Sequence, residues 1–111
     1  MKEREKKFEP GQIVATKGVH AIMQCDGIFA LYVKNCLLRH LAGDWGNLDP
    51  EDAAMNDEAL KSGESRIFSA YKYDKSIFSP FTYSNIRDNE KIWIITEWDR
   101  SVTTILFPSE Y

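Results

Sequence analysis

Apolar positions along this chain change period part-way, from helical spacing in the first half to alternation in the second. "QIVAT", Gln12 to Thr16, alternates with β-branched residues and predicts a short first strand. A short helical turn follows from about Val19 to Gln24, with Thr16 placed to cap it, and "CDG" interrupts it. Over 28–42, Phe29, Val33, Cys36, Leu37 and His40 form one apolar stripe and predict the longest helix, with Ile28, Leu31, Tyr32 and Leu38 along one side. Gly43 ends it, because glycine accepts the left-handed C-cap conformation. The next helix carries the clearest start signal. Asp49 is an N-cap, Pro50 takes the first helical position, and Glu51 and Asp52 set negative charge in the first turn. Gly63 stops it, and its apolar positions Ala53, Met55, Ala59 and Leu60, mostly small, predict close packing.

From Arg66 the period becomes two. "RIFSAYKY" (66–73), "KIWIITE" (91–97) and "VTTILFP" (102–108) read as strands, the last two joined by a "WDRS" turn. The stretch 74–90, with Pro80 and many polar residues, reads as extended hairpin arms or a long loop. The order β-α-α-β-β-β predicts a two-layer α+β fold, a helix pair packed on a mainly antiparallel sheet of about four strands. The first strand joins that sheet at an edge. Residues 1–10, ended by "PG", read as a flexible arm, and 11–111 as one domain.

Composition adds limits. The chain has 111 residues, 43% apolar and 28% charged, which suits a globular core and excludes disorder. No apolar run approaches the roughly 20 residues of a membrane span. The N-terminus lacks the apolar core of a secretion signal, so a cytoplasmic location is expected. Cys25 and Cys36 show no CxxC spacing and no nearby histidine ligand. They read as buried free thiols, with no metal and no cofactor implied. Residues 44–64 carry seven acids against Lys61 alone, which disfavours a phosphate backbone as partner.

The segments "GQIVAT", "RHLAGDWGNLDPEDAAMNDEAL", "RIFSAY" and "KIWIITEWDRSVTTILFPSEY" resemble a family of small bacterial proteins often labelled plasmid-related. That resemblance covers about two-thirds of the chain, departs around Ile77–Asn89, and implies association with mobile elements but no catalytic residues. A methylase label sometimes given to the family finds no glycine-rich cofactor turn here. In element order alone the chain also resembles the barnase, colicin and RelE-type ribonucleases.

Two readings of the site follow. In the first, Asp44 and Trp45 of "GDWG" build a corner, and the sheet face bearing Trp93, with Phe68 or Tyr71, binds a protein partner or a second copy. In the second, His40, Glu97 and Arg100 form an acid, base and anion clamp at one rim, with Asp99 in the same turn. His40, at the end of its helix, would there face the negative end of the helix dipole.

Overall fold

The apolar run at 91–97 takes the middle of the sheet, where both of its faces are flanked by other residues. The computed structural model describes residues 5–72 and 91–111. Among them the order is β1 (Gln12–Ala15), α1 (Lys17–Cys25), α2 (Gly27–Leu41), α3 (Pro50–Ser62), β2 (Ile67–Lys72), β3 (Lys91–Thr96) and β4 (Val102–Leu106), followed by a 3-10 turn at Pro108–Glu110. The strands lie in the order β1-β4-β3-β2. β2, β3 and β4 pair antiparallel, and β1 lies parallel to β4 at the edge. This is the two-layer α+β architecture that the patterning predicts. The stretch 74–90, read as hairpin arms or loop, lies outside the described residues.

The core forms where α1 and α2 meet one face of the sheet. Val19 of α1 and Phe29, Tyr32, Val33 and Cys36 of α2 pack on Tyr71, Ile92, Ile94, Ile105 and Phe107. Full burial of each large apolar side chain contributes on the order of 1.5–3 kcal/mol. The stripe predicted on α2 is the buried one, whereas Leu31 and Leu38 point outward. Burial pushes the Cys36 thiol up to about 12, so it stays protonated. Cys25, expected to be buried too, is exposed, because it falls at the end of α1.

Three helices stand where a pair and a short turn were expected. α1 is nine residues long, and "CDG" both ends it and starts α2: the Asp26 carboxylate accepts the N–H groups of Ile28 and Phe29, each at 3.1 Å. Thr16 occupies the N-cap position of α1 without capping it. Its hydroxyl instead donates to Glu110 (2.5 Å), whose other carboxylate oxygen accepts the Gly18 N–H (2.9 Å). The cap of the first helix is therefore delivered by the last turn of the chain. Those hydrogen bonds outweigh the slight desolvation of Glu110 and hold its carboxyl below the usual range.

α3 does not lie over the sheet face. It runs beside β2, where Ala59 joins Trp45 and Ile67 in a second small core, with Phe8, Leu48, Ala53 and Leu60 packed against it. Met55, expected among its packing positions, is 69% exposed. The stretch read as a flexible arm is docked from Lys7 onward. The Lys7 N–H donates to Leu41, Phe8 packs in the second core, and the Pro10 carbonyl accepts from Thr103.

An edge strand leaves a row of main-chain groups without partners, and β2 has every second residue turned outward. The fold fills that row with non-strand residues. The Asn56 side chain donates to the Phe68 carbonyl (2.5 Å) and accepts the Phe68 N–H (3.1 Å). Ala70 pairs through its N–H with Trp45 and through its carbonyl with Asn47, and the Asn47 side chain accepts the Lys72 N–H. Gly46, bridged to Ala70 at φ +73°, makes this approach possible; a Cβ there would run into the Ala70 carbonyl and the Tyr71 ring. Asn56→Ala removes two hydrogen bonds from a buried site, and a stability loss of about 1–3 kcal/mol is expected from urea unfolding. Asn56→Asp sets a buried carboxylate oxygen against the Phe68 carbonyl and should cost at least as much as Asn56→Ala at neutral pH.

Candidate functional site

The corner "GDWG" is built as a lock. Arg39 of α2 donates to both carboxylate oxygens of Asp44 (2.8 and 3.2 Å), and Asp44 also accepts the Gly46 N–H (3.2 Å). The Arg39 guanidinium lies 4.8 Å from the centre of the Tyr71 ring, and the Tyr71 hydroxyl donates to the Asp44 carbonyl (2.8 Å). Trp45 is 7% exposed, with its indole N–H donating to Asp57 of α3 (3.1 Å). It therefore fills the gap between helices and sheet rather than offering a binding surface.

His40 lies at the centre of the molecule. Its ring is fully buried, with the Phe8 and Trp45 rings edge-on at 5.3 and 6.0 Å. Nδ1 meets the Ser69 hydroxyl, and Nε2 lies 2.9 Å from the Thr96 hydroxyl. Thr96 in turn lies 2.7 Å from the Thr103 hydroxyl, which bonds the Pro10 carbonyl at 2.7 Å. The direction of this chain follows from its end. A carbonyl only accepts, so Thr103 donates to Pro10 and must accept from Thr96. Thr96 must then accept from Nε2–H. Burial pushes the imidazole pKa down to about 3, so the ring is neutral at pH 7, and the bare Nδ1 accepts from Ser69. The favourable charge–dipole contact expected at the end of α2 is absent for that reason.

The other two members of the expected catalytic set, Glu97 and Arg100, lie at the end of β3 and in the turn that follows it. Glu97 follows Thr96 directly but is exposed. Arg100 takes the left-handed conformation (φ 60°) in the turn. Its guanidinium donates to the carbonyls of Ser65, Glu97 and Trp98 and to that of Ala59 near the C-terminus of α3 (2.7–3.2 Å). This clamp ties the β3–β4 turn to α3. The Phe8 ring contacts both His40 and Arg100, 5.3 Å from the His40 ring and 5.9 Å from the Arg100 guanidinium. Asp99 accepts the Ser101 hydroxyl (2.6 Å) and N–H (3.1 Å), which hold its carboxyl below the usual range and shape the turn. The sequence signal for Phe8 was only an aromatic within a charged stretch, and nothing marked Ser69 as the partner of His40.

The helix-free face carries Phe68, Ala70, Trp93, Ile95 and Leu106, with Tyr71 on the opposite, helix-covered face. Ala70, Ile95 and Leu106 are buried there, and Phe68 and Trp93 are half-buried. Trp93 stacks edge-on with Phe68 (5.1 Å) and with Tyr111 (5.7 Å), and Arg66 donates to the Tyr111 hydroxyl (2.9 Å). Phe68 also borders an open groove of about 700 Å³ between α3 and the start of β2. Ala54, Met55 and Ala59 give it an apolar wall, Asp52 and Glu58 line it with two carboxylates, and Arg66 brings one guanidinium.

No group of side chains suited to a metal ion and no helix long and apolar enough to cross a membrane occur among the described residues. No family model, curated protein or solved structure matches the chain.

The buried neutral imidazole makes stability depend on pH in a defined direction. Its folded pKa lies below the unfolded value near 6.5, so the unfolded chain takes up a proton first as pH falls. The stability His40 contributes is complete above about pH 6.5 and declines towards pH 3, by at most about 1.4 kcal/mol per pH unit. His40→Gln removes this titration. Urea midpoints measured from pH 7.5 to 4 should fall more steeply for the parent than for the variant, and parallel curves would refute the assignment.

Proposed function

We propose that this protein is a small accessory protein that acts by binding another protein, and that the groove between α3 and β2 is where the partner docks. The reading rests on one observation: the groove joins an apolar wall to two carboxylates, Asp52 and Glu58, against the single cation Arg66, which is bonded to Tyr111, and opens beside the Phe68–Trp93–Tyr111 aromatic cluster. The fitting occupant is a segment of a partner protein with an apolar side chain flanked by lysine or arginine. The apolar group covers Met55 and Phe68, and the basic flanks face Asp52 and Glu58. Such complementarity speeds encounter and excludes acidic or phosphate-rich competitors. A role beside a bacterial mobile element, in the cytoplasm, accords with the resemblance to plasmid-related proteins. The acid–base alternative gains no support, because both His40 nitrogens are hydrogen-bonded and Arg100 is bound to carbonyls.

A synthetic leucine–lysine peptide is a suitable probe. Titrated into the labelled protein and followed by NMR, it should shift the resonances of Met55, Glu58, Phe68 and the Trp93 indole. Met55→Asp and Glu58→Lys should each weaken binding roughly tenfold, equivalent to about 1.4 kcal/mol. The same peptide with glutamate in place of lysine should leave the spectrum unchanged. Shifts that appear equally with both peptides, or none at millimolar peptide, refute the reading.

A further inference from the structure

The two edges of the sheet are finished differently. Beyond β2, side chains and the 45–47 corner occupy the outward main-chain groups. Among the described residues nothing comparable stands beyond β1. The N–H groups of Gln12 and Thr16 donate to Ser101 and Ile105 of the neighbouring segment, so the even-numbered residues face β4. Ile13 and Ala15 therefore turn their N–H and carbonyl groups away from the sheet. No hydrogen bond among the described residues reaches them, and Ile13 is 47% exposed. The strand itself, "QIVA", has none of the lysine, proline or bulge devices that commonly block an edge.

We infer that β1 is a self-pairing edge, and that two copies of this chain join through it antiparallel into one continuous eight-stranded sheet. The segment is complementary to itself. Pairing Ile13 with the partner copy's Ala15, and Ala15 with its Ile13, closes four main-chain hydrogen bonds about an axis at Val14. A large side chain then lies opposite a small one on the helix-covered face, and the two Val14 side chains meet on the other. The antiparallel arrangement also brings the exposed Lys17 end of each β1 beside the exposed Glu9 end of the other. Among the described residues Glu9 holds a solvent-exposed pair with Lys6 (3.3 Å), which such an exchange can replace at little cost. The inference is independent of the groove, which lies at the opposite edge of the sheet.

Sedimentation equilibrium of the full chain over a dilution series tests it. The parent should be a reversible dimer. Ile13→Pro removes an outward N–H that the β1–β4 ladder does not use, and Ile13→Lys adds a charge at the same edge. Either should leave the monomer, and whichever keeps the parental circular dichroism is decisive. Glu9→Lys and Lys17→Glu should each raise the dissociation constant about tenfold through like-charge contact. The double exchange should return it to within about threefold of the parent. A parent chain that is monomeric at millimolar concentration overturns the inference, even where an unrelated extended peptide binds the edge. So does a dimer indifferent to both Ile13 variants, or a double exchange no better than the single ones.

Discussion

A polar group taken out of water must find partners inside, and this fold is organised around one place where that condition is met in full. His40 comes from α2, Ser69 from β2, Thr96 from β3 and Thr103 from β4, and the chain of hydrogen bonds ends on Pro10 just before β1. Each hydroxyl has one proton, and the arrangement uses each in one direction only. If α2 rotated or β4 shifted by one residue, a buried donor or acceptor would lose its mate, at about 1–3 kcal/mol each. Apolar contacts alone tolerate such slips more readily. The network thus fixes the helix layer to the sheet in one register, while the surrounding apolar core supplies most of the driving force.

The corner at 44–47 depends on the same placement. Once His40 seats the last turn of α2 over β2, Arg39 is held beside Tyr71, and Asp44 closes on it. Trp45 then has a gap to fill between His40 and Ala59, and Gly46 and Asn47 come to lie along the edge of β2. The two glycines of the corner serve different needs. Gly43 lets the helix end in a left-handed residue, whereas Gly46 lets one backbone approach another. Arg100 closes the far end of the same layer, reaching from the β3–β4 turn to the last carbonyls of α3.

How much of this the sequence reveals differs by kind of feature. Signals written in neighbouring residues were legible: the α2 stripe, the Asp49–Pro50 start, the Gly63 stop, and the two-sided apolar run that makes β3 central. Asp26 was not read as a cap, because a single Asx before glycine signals a break as readily as a start. Long-range partners left no local trace. Glu110 caps a helix 92 residues away, and Thr16, which looked like that cap, serves as its anchor. The surroundings of the candidate site were hidden for a related reason. Histidine, threonine and arginine carry chemistry, but the same donors and acceptors also satisfy a buried main chain, and only the contacts decide between the uses.

That distinction bears on where function can reside. A histidine whose two nitrogens are both bonded inside the core must break a stabilising contact before it can exchange a proton with a substrate, and its depressed pKa opposes charging it near neutrality. An arginine bonded to carbonyls of a helix end and two turns is likewise tied to the scaffold. Side chains bonded in this way hold the helix layer and the β3–β4 turn in place. The surface differs: Met55 is exposed on an acidic helix, Trp93 is half-buried between two aromatic rings, and no hydrogen bond among the described residues reaches the outward groups of β1. Each of these exposes apolar or main-chain groups that water solvates poorly or that another strand can pair.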